Sequence, residues 1–214
     1  MRLMITQIVV IIVLVWTLVA MLVFYPKHVQ FSESHEVGGF VLIQQPDHIT
    51  CGPTSTTMLL NRYGVKVTLD EVRVVTKTTW FKWNGKDVGT TSPDFIELAL
   101  RKFGVPARLR ASNMDNLRWY IDHDRPPIIL LRSGPMMFHY VVATGYNKEF
   151  IIIADPGWGE RREIPIENFK TAWNFTTDME GEKPNLKVDI CKIGERLVEI
   201  QPNMLIVPNE PVSK

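Results

Sequence analysis

The sequence predicts an α+β protein, with helices first and an antiparallel sheet after them. Two observations carry this. Between residues 51 and 125, four helix-like segments lie between capping and stop signals. After Pro126-Pro127, three runs rich in β-branched residues, "IILLR", "HYVVATGY" and "FIIIADP", follow one another across short turn-like pieces. A third observation sets the N-terminus apart. "MRLMITQIVVIIVLVWTLVAMLVFYPKH" is apolar from Met4 to Tyr25 except at Thr6, Gln7 and Thr17. As a helix rising ~1.5 Å per residue, such a stretch spans a hydrocarbon core of about 30 Å.

The first 27 residues are therefore expected to form a single transmembrane anchor. A cleaved signal peptide is the alternative, but its apolar region is usually only ~7–15 residues long, and the small-x-small pattern Ser32-Glu33-Ser34 lies well beyond the apolar end. Arg2 precedes the span and Lys27 with His28 follow it, a balance that slightly favours a cytoplasmic N-terminus and an extracytoplasmic domain. Residues 28–39 read as a polar stalk, 40–176 as the folded domain and 177–214 as a C-terminal extension.

Within the domain, "FVLIQQ" reads as a strand. Gly52-Pro53 opens a helix that runs to about Tyr63 and stops at Gly64. Thr68-Leu69-Asp70-Glu71 has capping-box spacing before a second helix. Ser92-Pro93 starts a third helix ending at Gly104, and "SNMDNLRWYIDHD" forms a fourth, capped by Ser112 or Asn113. The three β runs then form an antiparallel meander, joined through Ser133-Gly134-Pro135 and Asn147-Lys148. "REIPIENFKTAWN" adds a short strand and a helix, and "RLVEI" and "MLIV" are weak strand signals.

With 45% hydrophobic residues, 22% charged and a formal net charge of +1, the chain has neither the composition of a disordered protein nor the basic footprint of a nucleic-acid binder. Two cysteines exclude a disulfide-rich scaffold, although a Cys51–Cys191 bridge stays open if the domain faces an oxidising space. No cofactor or metal is called for, because His48 and Cys51 lack a second pair of ligands.

Cys51 is the residue that asks for chemistry. A thiol at a helix N-terminus meets unpaired backbone N–H groups and the positive end of the helix dipole, both of which favour the thiolate. A buried cysteine can equally be a small hydrophobe. A catalytic thiol needs a base and a group to orient that base. His139, at the start of "HYVVATGY", is the histidine with a rigid setting. Asp155, at the end of the next run, comes beside it if the two strands pair as a hairpin. Asp155 also suits the Asp-Pro-Gly turn. Gln45, six positions before Cys51, could donate to an oxyanion together with the Cys51 N–H. Trp158, beside the Asp155 turn, is a candidate wall of the site or a packing residue, whereas the other tryptophans are expected mostly in the core.

Gln45, then "CGPTS", with the later "HYVVATGY", "ADPG" and "PIENFKTAW", resembles the double-glycine leader peptidases of the papain-like clan, family thirty-nine of the cysteine peptidases, over about residues 40 to 175. The resemblance implies a papain-like fold. It also implies Cys51 as nucleophile, His139 as base and acid, Asp155 as its orienter and Gln45 as oxyanion donor. Two departures stand out. Thr50 replaces the acidic residue that many relatives carry before the cysteine, and the chain has one apolar span with no Walker-type phosphate loop. Transport is then expected of a separate peptide exporter, with a peptide or protein as this chain's substrate. Gly38-Gly39 is the dipeptide type such relatives cleave after, which raises the prospect of self-release in trans. A silent peptide-binding domain and a thioester-forming acyl transferase are the alternatives on the same residues.

Overall fold

The computed structural model describes residues 7, 11–17, 31–83, 86–134, 137–175, 188–193, 196–200 and 202–211, the side chains of 79–88 and 188–200 excepted. Most of the apolar N-terminal run expected to cross a membrane lies outside the described residues. Residues 11–17 are helical and exposed, and among the described residues no helix is long and apolar enough to cross a membrane. Residues 1–31 and 32–214 are two separate compact units.

The second unit is an α+β fold built on a seven-stranded sheet whose pairings among the described residues are all antiparallel. Its strands are β1 (His35–Glu36), β4 (Ala107–Ala111), β5 (Ile128–Gly134), β6 (Met137–Tyr146), β7 (Phe150–Asp155), β8 (Glu160–Pro165) and β11 (Met204–Pro208). The order is β4-β11-β5-β6-β7-β8, with β1 also on β6. The expected meander is β5-β6-β7, continued by β8. Two further hairpins, β2 (Thr79–Trp83) with β3 (Lys86–Thr90) and β9 (Val188–Ile193) with β10 (Arg196–Ile200), stand as separate two-stranded sheets.

The helices are α1 (Cys51–Arg62), α2 (Leu69–Thr76), α3 (Pro93–Lys102), α4 (Met114–Asp122) and α5 (Ile166–Trp173). Their ends follow the sequence signals. Thr68 and Glu71 close a reciprocal capping box on α2, Pro93 opens α3, and of the two candidate caps of α4 Asn113 is the one that accepts from the Asn116 N–H. Two apolar clusters make the core. Met58, Leu59 and Leu60 of α1 join Ile96, Leu100, Tyr140 and Val142 in one, and Leu117, Ile121, Val141, Ile153, Phe169 and Trp173 form the other. Gly52 to Leu60 are all buried, so α1 runs through the interior. Burying that much apolar surface, at about 25 cal/mol per Å², is what fixes the position of its first residue.

Three expectations are corrected. "FVLIQQ" is not a strand: Ile43 N–H donates to Met58 Sδ at 3.4 Å and Gln45 N–H to the Pro156 carbonyl at 2.7 Å, because this segment leads from the sheet to the start of α1. The folded unit also begins before residue 40. β1 pairs with β6, Val37 is 3% exposed, its N–H donates to the Thr144 carbonyl, and Gly38 O accepts from Arg62 Nε at 2.6 Å. Finally, "MLIV" is a strand, as its signal expects, but it is not part of a separate C-terminal extension. As β11 it is buried throughout and fills the slot between β4 and β5, so the segment after 177 supplies a central strand of the sheet. Asn203 N–H bonds the Trp173 carbonyl at 3.0 Å, which brings the chain back to the end of α5 before β11 begins.

Candidate active site

Cys51 opens α1 and carries a free thiol, while the side chain of Cys191, the other end of the bridge left open by the sequence, lies outside the described residues. Thr50 occupies the cap position without a side-chain cap bond, and its hydroxyl turns to the Asp47 carbonyl at 3.4 Å. The first N–H groups of the helix, which have no intrahelical acceptor, are thus left without a side-chain cap beside the thiol. The small residue after the cysteine has a packing reason: a Cβ on Gly52 would come to 3.0 Å from Thr91.

The sheet supplies the second half. In the β6–β7 register Val142 faces Ala154, which carries Asp155 toward the start of β6, as the hairpin reading expects. His139 Nε2 and Asp155 Oδ1 are 2.6 Å apart. Oδ1 also accepts the Gly157 N–H at 2.8 Å, and a Cβ at Gly157 would come to 3.2 Å from the same oxygen. Glycine in the Asp-Pro-Gly turn therefore lets the backbone reach the carboxylate, and Asp155 both forms part of the turn and bonds His139.

Burial pushes the His139 pKa down, but its hydrogen bonds to Asp155 and Cys51 and the charges of both outweigh that and raise it to about 9. The ring is an imidazolium at neutral pH. Burial pushes Asp155 up, yet the bond and charge of His139, the Gly157 N–H and Arg162 hold the carboxyl below its ordinary value. With Nε2 committed to Asp155, Nδ1 is the ring nitrogen left for the thiol. Cys51, His139 and Asp155 are brought together as one connected set.

Gln45 is anchored to the same turn by its N–H bond to Pro156 O, but its side chain is only half engaged. Nε2 donates to the Asp47 carbonyl at 2.5 Å, while Oε1 is buried and has no hydrogen-bond partner among the described residues. A primary amide carries two N–H donors, so one stays available. Asp47 shapes this loop through the Ile49 N–H, accepted by Oδ1 at 3.0 Å. Trp158 is 63% exposed and lies outside the core. By contrast Trp173 is core at 1%.

Sequence reading missed three residues around this set. Arg162 Nη1 donates to Asp155 Oδ2 at 2.8 Å. The Tyr140 hydroxyl donates to the Thr91 carbonyl at 2.9 Å, and the Tyr140 carbonyl accepts from Ser55 Oγ at 3.0 Å, tying α1 and the Thr91 segment to the strand that carries His139. Asp47 is the third. A basic residue across the strand that follows the Asp-Pro-Gly turn was the available signal for Arg162; nothing local announced Tyr140.

Comparison with known proteins gives this arrangement its family. The model of the Peptidase_C39 like family matches residues 38–179, and the chain belongs to that family. It is 28% identical over 149 residues to the transport/processing ATP-binding protein ComA of Streptococcus pneumoniae, covering 67% of this chain and 19% of ComA. It is also 28% identical over 153 residues to the lactococcin-G-processing and transport ATP-binding protein LagD of Lactococcus lactis, covering 71% of this chain and 20% of LagD. The chain thus matches about a fifth of the length of these relatives. Among solved structures, the peptidase domain of Streptococcus ComA superposes with a TM-score of 0.53 at 26% identity, over 63% of this chain and 93% of that domain. A C39-like peptidase from Bacillus anthracis gives 0.56 at 19% identity, over 66% and 92%, a likeness of fold.

Proposed function

We propose that this protein is a membrane-anchored cysteine peptidase that cleaves peptide bonds, with Gly-Gly in a leader-like peptide as the expected cleavage position. The observation that carries the reading is the Asp155–His139 pair at 2.6 Å, joined to a cysteine at the uncapped start of a buried helix. In this mechanism the Cys51 thiolate attacks the carbonyl carbon and forms the C–S bond. The developing oxyanion is held by the Cys51 N–H and the second N–H of Gln45. The His139 imidazolium, kept charged by Asp155, gives its proton to the leaving amine as the C–N bond breaks. The neutral ring then takes a proton from water, which hydrolyses the thioester and returns Cys51.

Trp158 offers an exposed aromatic face beside the histidine pair for the substrate. The names of the relatives, processing and transport proteins, support a peptide substrate and a separate exporter as partner. The apolar run at residues 4–25 supports a single-pass anchor, and the flanking charges slightly favour a domain outside the cytoplasm. The stalk dipeptide Gly38-Gly39 is not presented to its own thiol. Arg62, at the far end of α1 from Cys51, holds Gly38 O at 2.6 Å, and eleven residues of helix separate the two by about 16 Å. Release in trans would first require this segment to give up its bond to Arg62.

The test is incubation of the purified protein with synthetic peptides that carry or lack Gly-Gly, with products read by mass spectrometry. Cleavage by the wild type that disappears in Cys51→Ala is expected. Equal turnover by Cys51→Ala would end the proposal, and a transpeptidated product in place of a hydrolysed one would move it to acyl transfer.

A further inference from the structure

The Asp155 side chain keeps only 4% of its surface exposed, and both of its oxygens are engaged. Oδ1 takes His139 Nε2 and the Gly157 N–H, and Oδ2 takes Arg162 Nη1 at 2.8 Å. Arg162 reaches it diagonally across the β7–β8 ladder, where it stands opposite Ile153, two residues before Asp155. The charged and titratable groups around Asp155 are His139 from β6, Arg162 from β8, Glu160 opposite it at the start of β8, and Cys51 from α1 through His139. The Arg162 guanidinium also lies over the Trp158 ring, 5.6 Å from its centroid. One side chain therefore touches both the buried carboxylate and the exposed aromatic ring.

We propose that Arg162 is a positioning residue, whose guanidinium holds Oδ2 of Asp155 so that Oδ1 points at His139 Nε2, and which braces Trp158 against the same turn. The inference rests on the peptidase reading for its catalytic meaning, although the contact itself does not. A buried carboxylate with one cationic partner in place of two is less stabilised in its charged form, and its freed oxygen has nothing to pair with. Arg162 contributes to holding the Asp155 carboxyl below its ordinary value. Once Asp155 takes a proton, it no longer accepts the His139 N–H as an anion, and the imidazolium loses its support. Arginine is suited to this place because its planar fork can bond a carboxylate edge and stack on an aromatic face together, which lysine cannot do.

Three variants of the full chain test this: Arg162→Ala, Arg162→Gln, which keeps a donor without charge, and Arg162→Lys, which keeps charge without the fork. The primary readout is the titration of the Asp155 carboxyl carbon by NMR, assigned through Asp155→Asn. The second is the rate of Cys51 alkylation by iodoacetamide against pH. Upward movement of the Asp155 midpoint by about one pH unit in the Ala and Gln variants, and less in Lys, is expected. The acid limb of alkylation should move with it, making the Ala variant about tenfold slower there. An Asp155 midpoint unchanged in the Ala and Gln variants overturns the proposal, whatever peptide turnover does. A wild-type thiol that alkylates no faster than that of His139→Ala would count against the peptidase reading alone, because the Asp155 titration would still stand.

Discussion

The two halves of the site are prepared to different degrees. On the sheet half, Asp155 has both oxygens bonded, and His139 is held between it and the thiol. On the loop half, Gln45 keeps a buried Oε1 without a partner among the described residues, and its Nε2 spends one bond on the Asp47 carbonyl. The difference teaches where the protein stores its readiness. Charge is fixed in advance by backbone register, since a buried ion pair needs rigid geometry. Gln45, the proposed oxyanion donor, sits on a loop where its amide makes one bond, which suits a group that must adapt to an arriving carbonyl.

Breaking the sheet half should cost most. Asp155→Asn leaves the shape nearly unchanged but removes the charge that keeps His139 protonated, and it should lower kcat by about 10²-fold or more. Rates near wild type would mean that His139 is oriented by something else. On the loop half, Gln45→Ala removes the proposed side-chain oxyanion donor and leaves the Cys51 N–H. A fall of about 10²-fold in kcat, with KM little changed, is expected from peptide hydrolysis, because the donor acts on the transition state. A pure KM effect would place Gln45 in substrate binding.

The smallest effect concerns stability and sharpens the same contrast. His139 titrates at about 9 in the fold against an ordinary value of 6.5, so its pairing stabilises the fold fully below about pH 6.5 and is lost as pH rises through about 9. Asp155 has the opposite sign: its contribution is present above the ordinary carboxylate range and is lost as pH falls through its lowered value. Chemical denaturation across the alkaline window should show wild type losing stability that His139→Ala never had. Gln45→Ala should keep the wild-type slope, because the amide it removes does not titrate.

Much of the sheet half was legible in the sequence because antiparallel pairing is a matter of counting. "HYVVATGY" and "FIIIADP" share a short turn, so the beginning of one must lie beside the end of the other, and His139 meets Asp155. Capping signals placed α1 and with it Cys51. What escaped depends on long-range partners. β11 carries a short apolar run that gains its meaning only from β4 and β5, far away in sequence. "FVLIQQ" has strand composition, but it lies on the path to α1 and spends its N–H groups on Met58 and Pro156. Val37 to Gly39 look like a linker by composition, yet β6 and Arg62 hold them down. Arg162 and Asp47 reveal themselves only when the loop and strand they serve are in place.

The central claim is that Cys51 is a nucleophile activated by His139, and the most direct measurement is intact-mass spectrometry after brief iodoacetamide treatment at neutral pH. Wild type should take up a single label at Cys51 rapidly, and His139→Ala should label much more slowly. Equal and slow labelling of the two proteins would contradict the account and leave a peptide-binding domain with an inert thiol.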